Sequence, residues 1–381
     1  MQKILRITTV PVSLKTLLKG QLKFMSQYYE IVGVTSPGKE INDVVNDEGI
    51  RVIEVELTRT ISPLKDLVSL FKLYRILKKE RPFIVHSHTP KAGTIGMFAA
   101  KLAGVPHRLH TIAGLPLLEA AGAKRLLLDS VEKLTYRCAT MIYPNSFGLK
   151  DIIIKNGYTH EKKLKVIANG SSNGIDTTHF SIEELNQNEL SNLKRELGLT
   201  NSDFVYIFVG RLVTDKGINE LISAFTRLNN DSVKLLLVGT FEHELDPLHD
   251  KTITNINQNK NIITVGWQND VRPYFAISDA LVFPSYREGF PNVVMQAGAL
   301  GLPSIVTDIN GCNEIITHKQ NGLIIPPKDE EQLFLAMQEL LVNSDTRQEM
   351  AKMSRQVITN NYRREVVWEG LLNEYKSLTL N

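Results

Sequence analysis

The stretch FVYIFVGRLVTDKGINELISAF, residues 204–225, contains one complete strand–turn–helix unit. Its first six residues are aromatic or aliphatic without polar alternation, as expected of a strand buried on both faces of a parallel sheet. Gly210-Arg211-Leu212 follows the strand, and Lys216-Gly217 opens the helix. The same style recurs on either side. Before it come KILRITT, YEIVGVTS, IRVIEVEL, FIVHSHT, HRLHTI, ATMIYPNS and LKVIANG, with helical stretches at 63–80, 91–103, 124–138 and 146–156. After it come VKLLLVGT, NIITVGW, ALVFPS, SIVT and GLIIPP, and residues 331–380 read as two or three closing helices.

Strand–helix alternation with short connections implies α/β architecture, parallel sheets covered by helices on both faces. Two such runs in 381 residues imply two Rossmann-like domains rather than one large sheet. The turn-rich SSNGIDTTHF and the polar helical run 182–197 put the boundary between a first domain, 1–180, and a second, 181–360. Residues 361–381 are expected to form a C-terminal helix that packs back toward the first domain. A hydrophobic content of 43% with 22% charged residues is that of an ordinary folded chain. Two cysteines, Cys138 and Cys312, supply neither a disulfide framework nor a cysteine-rich zinc site, which fits a reducing cytoplasm. The N-terminal apolar run is too short for a signal peptide. No apolar stretch approaches the ~18–20 residues of a membrane span; TIGMFAAKLAGV is interrupted by Lys101.

The net charge of +3 conceals an asymmetry. Residues 1–180 carry 26 Lys and Arg against 15 Asp and Glu, so the second half is acidic. A basic first domain points to an anionic partner, and a membrane surface or a phosphate-bearing acceptor fits. The segment PLKDLVSLFKLYRILKKERP carries Lys65, Lys72, Arg75, Lys78, Lys79 and Arg81 beside an apolar stripe. It reads either as a sheet-covering helix with a solvated basic face or as a membrane-contacting one. Nucleic acid is not an expected partner, because the basic excess is diffuse and lacks interleaved aromatics on a recognisable module.

Several motifs can be set aside. Gly170-Ser171-Ser172-Asn173-Gly174 has the spacing of a hydrolase nucleophile elbow, but IDTTHF follows instead of a helix, so a turn is expected. There is no G-x-G-x-x-G, no Walker lysine loop and no Asp-x-Asp to hold a metal on a diphosphate. His86 and His88 alternate at a strand's end and share one side, yet no third ligand is near in sequence, so no metal site is expected. They fit better as structural or acceptor-cleft residues, at the strand ends where open α/β sheets bind ligands. His110 precedes the Ala113-Gly114-Leu115-Pro116 loop. It is either a hydrogen-bonded strand-end histidine or a cleft histidine that touches a reacting sugar.

The second half holds the sharper signals. Gly210, Arg211 and Lys216 bring a guanidinium and an ammonium to a strand end and a helix start, an arrangement suited to a diphosphate. Ser285-Tyr286-Arg287-Glu288-Gly289-Phe290-Pro291-Asn292 precedes an apolar helix. There Glu288 can accept from sugar hydroxyls while the N–H groups of 289–292 meet phosphate. Surface salt bridging and ordinary capping are the alternatives; the two motifs gain weight by lying in one half, both at strand ends.

These residues resemble the large family of retaining glycosyltransferases with two facing Rossmann-like domains, the GT-B architecture, and in particular its family 4-like enzymes of bacterial surface-polysaccharide assembly. GRLVTDKG resembles that family's phosphate-binding Arg…Lys motif, which implies that Arg211 and Lys216 hold the donor diphosphate. REGFPNVVMQA resembles its Glu-x7-Glu signature, which implies that Glu288 contacts the transferred sugar with help from Gly289, Phe290, Pro291 and Asn292. The second glutamate is replaced by Gln296, placed at the start of a helical run, where the family contacts the nucleotide ribose. HSHTPKAG and HTIAGLP resemble acceptor-domain segments, which implies that His110 lies beside the donor sugar. The resemblance implies a metal-independent hexosyltransferase that uses a nucleotide-sugar donor, a UDP-sugar, and a polyprenyl-diphosphate-linked saccharide acceptor. It implies no cofactor, and a cytoplasmic location on the inner face of the membrane. A nucleotide-sugar epimerase of related fold, and a partner that binds nucleotide sugar without catalysis, are the competing readings.

Overall fold

In the computed structural model, every residue is described except 59–61, 116, 118–119, 243, 245 and 380–381. Pro116 of the loop after His110 thus lies outside the described residues. The chain divides into two compact units, Met1–Gly174 with Arg364–Asn381, and Ile175–Arg363. The divisions fall at 174/175 and 363/364 rather than at 180/181 and 360/361. Ile175 and Arg363 form a parallel bridge, and Ile175 N–H donates to Tyr362 C=O at 2.8 Å. Both ends of the second unit are thereby tied to each other.

The first unit contains six parallel strands, β1 (Lys3–Ile7), β2 (Glu30–Thr35), β3 (Arg51–Glu54), β4 (Ile84–Ser87), β5 (His107–Ile112) and β6 (Met141–Pro144). Their spatial order is β3-β2-β1-β4-β5-β6. Alternation along β1 sends Leu5 and Ile7 into one apolar layer, against the helices Pro63–Glu80, Pro90–Ala103 and Gly122–Cys138. Ile4 faces the opposite layer, which includes Leu14, Leu22, Leu371 and Tyr375. The closing helix Arg364–Thr379 therefore completes the second face of this sheet, burying Val367, Leu371, Leu372 and Tyr375.

LKVIANG, expected as a strand, is not one: only Leu164 makes a bridge, to Ile142. Ala168 and Ser171 take positive φ (49° and 66°), which ends any extended run there. The GSSNG segment is a turn with no following helix, as its sequence context indicates. Helices Pro11–Leu17 and Gln21–Ser26, too short to show a clear period, are additions to the sequence reading.

The second unit repeats the plan with β7 (Phe204–Val209), β8 (Val233–Val238), β9 (Ile262–Gly266), β10 (Ala280–Phe283), β11 (Ser304–Thr307) and β12 (Gly322–Ile325). Their order is β12-β11-β10-β7-β8-β9, all parallel. All six residues of β7 are buried, which is why that strand shows no polar alternation. The helix Ile218–Leu228 buries Ile218, Leu221, Ile222 and Phe225, the i, i+3, i+4, i+7 stripe of a sheet-covering helix. Residues 330–379 form three helices, Glu330–Val342, Ser344–Asn361 and Arg364–Thr379.

Candidate active site

In both sheets the strand order reverses beside the first strand, between β1 and β4 and between β7 and β10. Open α/β sheets bind ligands at such reversals, outside the carboxyl ends of the strands. In the second unit the β7 exit carries Gly210 and Arg211, and the β10 exit carries the segment Ser285–Asn292. The two are held in register by backbone. Tyr286 N–H donates to Asp215 C=O at 2.9 Å. Gly217, at φ 71°, starts the following helix so close to β10 that a Cβ there would lie 2.1 Å from Pro284 O. Only glycine lets the helix begin at that point.

The result is a compact charged cluster. Lys216 Nζ donates to Glu288 Oε1 at 2.5 Å, and both side chains are largely shielded, 16% and 17% exposed. Ser285 Oγ lies 3.0 Å from the same carboxylate oxygen. Arg287 Nη2 reaches Asp215 Oδ2 at 2.8 Å, and Arg211 is paired with Glu242 at 2.8 Å, with its other arm 3.8 Å from Asp215. Burial pushes the Asp215 carboxyl above its ordinary range, opposed by Lys216 and Arg211. Beside this cluster the N–H groups of Gly289, Phe290 and Asn292 donate to no described residue. Three open donors next to an ammonium form an anion cradle of the kind found at helix starts.

The structure thus brings together Gly210, Arg211, Lys216, Glu288, Gly289 and Asn292. It revises three details of the sequence reading. Pro291 has no N–H, so it adds no donor to the cradle; it sits at the N-cap of the helix Asn292–Ala299 and shapes the turn. The Phe290 ring is core, 8% exposed and 5.4 Å from the Tyr362 ring, leaving only its backbone for a ligand. Gln296 lies in the second turn of Asn292–Ala299 rather than at its start, because the helix begins four residues earlier.

Sequence reasoning missed Asn310 and Asp215. Asn310 Nδ2 donates to the carbonyls of Glu288, at 2.5 Å, and Gly289, at 3.3 Å. Its neighbour Gly311, at φ 77°, packs so closely that a Cβ would stand 2.5 Å from Gly289 O. Asn310-Gly311, three residues beyond the end of β11, is a turn signal that could have marked this latch.

In the first unit His110 stands across from Ser87 in the β4–β5 register, and its Nδ1 lies 2.9 Å from Ser87 Oγ. The ring is 3% exposed and rests against Gly93, where a Cβ would come within 2.3 Å of it. Burial lowers its pKa to about 4, partly opposed by the Ser87 backbone, so the imidazole is neutral near pH 7. His86 and His88 do share one side, with ring centroids 4.2 Å apart. His86 is spanned by Tyr375 Oη at 2.6 Å and Thr111 Oγ1 at 2.8 Å, and His88 accepts from Arg6 Nε at 2.9 Å. Burial holds both far below the usual histidine range. Among the described residues no group of three or more His, Cys, Asp or Glu is placed to hold a metal.

Residues 191–357 match the glycosyl transferases group 1 family, and residues 24–170 match the glycosyl transferase 4-like domain. A capsular polysaccharide biosynthesis glycosyltransferase of Staphylococcus aureus is 34% identical over 99% of this chain and 97% of its own length. A UDP-Gal:α-D-GlcNAc-diphosphoundecaprenol α-1,3-galactosyltransferase of Escherichia coli is 32% identical over 87% of each chain. Among solved structures, a glycosyltransferase of Rickettsia africae superposes with a TM-score of 0.82 at 18% identity, covering 100% of this chain and 99% of the other. Anabaena HepE in complex with UDP gives 0.81 at 18% identity, covering 99% and 100%.

Proposed function

The chain belongs to the group 1 glycosyl transferases, with the GT-B fold and relatives in capsule and lipopolysaccharide assembly, and we propose that it moves a hexosyl group from a UDP-sugar to a polyprenyl-diphosphate-linked saccharide with retention of configuration. The observation that carries this reading is the Lys216–Glu288 pair beside the open N–H groups of 289, 290 and 292. A UDP leaving group needs its developing phosphate charge stabilised, and the ammonium of Lys216, the guanidinium of Arg211 and those N–H groups supply that without a metal. Glu288, released from Lys216 as the diphosphate takes the ammonium, accepts hydroxyls of the transferred sugar. The acceptor hydroxyl attacks C1 on the face the diphosphate leaves; the C1–O bond to phosphate breaks, the new C1–O bond forms, and the hydroxyl proton passes to the departing phosphate oxygen. His110, neutral and fixed by Ser87, contacts the sugar without adding charge. No cofactor is required.

The first unit is the acceptor side in this reading, and it contacts anionic membrane. No helix among the described residues is long and apolar enough to cross a membrane. Helix Pro63–Glu80 nevertheless exposes Leu64 (83%), Leu67, Val68 and Phe71 beside Lys65, Lys72 and Arg75, and helix Gly122–Cys138 exposes Leu126 and Leu127 beside Lys124. Apolar residues rimmed by cations suit an anionic leaflet, where each Lys or Arg contributes ~1 kcal/mol. The test is transfer by purified, EDTA-dialysed protein from a panel of nucleotide sugars to acceptor in liposomes of graded anionic content. Transfer from a UDP-sugar, with vesicle binding that rises with anionic lipid and falls with salt, is expected. Conversion of donor to an isomer without acceptor, or activity that needs added magnesium or manganese, would overturn the mechanism.

A further inference from the structure

Both cations assigned to the diphosphate already hold a carboxylate. Lys216 is bonded to Glu288, and Arg211 Nη1 donates to Glu242 Oε2 at 2.8 Å while its Nη2 lies 3.8 Å from Asp215 Oδ2. Glu288 has a further use, because once released it accepts hydroxyls of the sugar. The transferase mechanism has no use for Glu242. It follows β8, outside the segments that carry Lys216 and Glu288, and it sets a negative charge on the guanidinium that an anionic donor must reach.

Backbone, not a chance meeting of two long side chains, sets this contact. The ladder between β7 and β8 runs to Val209 and Val238, and the chains stay joined beyond it. Gly210 N–H donates to Val238 C=O at 2.9 Å, Leu212 N–H donates to Thr240 C=O at 2.8 Å, and Leu212 and Phe241 form a parallel bridge. Arg211 precedes that bridge on one side and Glu242 follows it on the other, so their offset is fixed. Further along, Thr214 Oγ1 donates to Pro247 C=O at 2.6 Å, and Asp215 N–H donates to Asp246 Oδ2 at 2.7 Å. The acid-rich stretch that contains Glu242, Glu244 and Asp246 is thus tied at both ends to the turn that carries Arg211 and Lys216.

A carboxylate fixed beside a diphosphate contact works against binding. An anion can take Arg211 only when Glu242 lets go, so its observed affinity falls by the fraction of time the guanidinium is held elsewhere. The size of the effect follows from exposure. Arg211 and Glu242 are 48% and 32% exposed, so their bond has the modest strength of a surface ion pair. Such a pair is weak enough for a diphosphate to displace and strong enough to loosen its hold. That suits a transferase, whose nucleotide product must leave in every cycle, and the carboxylate is in place to take the guanidinium back.

We propose that Glu242 is an internal competitor for the donor diphosphate: it occupies Arg211 in the empty site, is displaced on binding, and so keeps donor and product UDP less tightly held than the cations alone would hold them. The proposal rests on Arg211 as a diphosphate contact and adds what regulates that contact. Its test is calorimetric titration of the full chain with UDP. Glu242→Gln, which removes the charge and keeps the size, binds UDP about two- to fivefold more tightly, the range of an exposed ion pair. Glu244→Gln removes the same charge from an exposed side chain two residues away and tightens UDP less. Arg211→Ala weakens UDP, and adding Glu242→Gln to it brings no gain. If Arg211→Ala binds too weakly to titrate, the comparison with Glu244→Gln decides. UDP affinity unchanged or lowered in Glu242→Gln, or raised equally in Glu244→Gln, would overturn the proposal. UDP affinity unchanged in Arg211→Ala would instead strike the donor reading on which it rests.

Discussion

At the β7/β10 reversal the charged groups are paired and partly open to solvent: Lys216 with Glu288, Arg287 with Asp215, Arg211 with Glu242. At the β1/β4 reversal they are buried and, apart from Arg6, uncharged: three histidines held neutral, His86 bonded to Thr111 and Tyr375, His110 to Ser87 and His88 to Arg6. One sheet plan therefore hosts two kinds of polar centre. In the proposed reading the first exchanges its internal ion pairs for those of an incoming diphosphate at little net desolvation, since the charges are already assembled. In the second each imidazole is buried and held in position by a hydrogen bond to a neighbouring side chain. A transferase that must release charge on its donor while it orients an uncharged hydroxyl has use for both.

The sharpest way to break the comparison is to remove a charge from the paired centre. Lys216→Ala and Glu288→Ala should each lower transfer roughly a hundred- to a thousandfold, about 2.7–4 kcal/mol, with circular dichroism unchanged. Because the two side chains are bonded to each other, the double variant should fall little below the worse single one. Rates near normal in either single variant, or fully additive losses, would show that the pair does not act as a unit.

The neutral centre should instead respond to acid. His110 titrates near 4 when folded, against an ordinary value of about 6.5, so between those limits the unfolded chain binds the extra proton. Stability is then complete above about pH 6.5 and is lost as pH falls toward 4. The loss from His110 alone approaches about 3 kcal/mol, and His86 and His88 shift in the same direction. Urea unfolding at about pH 7.5 and about pH 4.5 measures it. Equal midpoints would mean that these imidazoles are not held neutral.

How much of this was readable in the sequence follows the same division. Strands such as β7 and β8 announce themselves because parallel strands buried on both faces are largely apolar runs; FVYIFV and VKLLLV leave little choice. Lys216 and Glu288 stand out because charges directly after such runs have few structural reasons to be there. Arg6 is invisible by the same logic. KILRI looks like an edge strand with an outward arginine, yet β1 is central and the residue is buried, because His88 and Gln21, distant in sequence, receive it. LKVIANG misled because its apolar content serves packing against β6 and the closing helix, not a ladder.

Asn310 offers a finer probe of how the paired centre is held. Among the described residues its side chain hydrogen-bonds only to the carbonyls of Glu288 and Gly289, so Asn310→Ala should leave every charge in place while loosening the turn that aims them. Two lost hydrogen bonds predict about 1–3 kcal/mol, a five- to 150-fold fall in kcat with donor KM changed less. Asn310→Asp, which keeps the size but sets a carboxylate against two carbonyl oxygens, should lose at least as much as the alanine. Wild-type kcat in both would remove the latch from the mechanism.

Gln296 marks the lower end of the scale. It is half-buried in the second turn of Asn292–Ala299, and its side chain makes no hydrogen bond to any described residue, although its carbonyl caps the helix at Leu300. A side-chain amide unspent within the protein, one helical turn beyond the open N–H groups proposed for the diphosphate, is the candidate contact for the ribose. Its oxygen can accept from one ribose hydroxyl while its NH₂ donates to the other oxygen. A carboxylate there would accept more strongly but would add negative charge near the diphosphate. Gln296→Ala removes a neutral hydrogen bond worth ~0.5–1.5 kcal/mol, roughly two- to twelvefold. Ribose contacts differ little between ground and transition state, so the loss should appear in donor KM with kcat nearly constant. Gln296→Glu, restoring the residue the family signature carries, should bind donor at least as well as the alanine. Steady-state kinetics in which donor KM is the same for all three would take Gln296 out of the site.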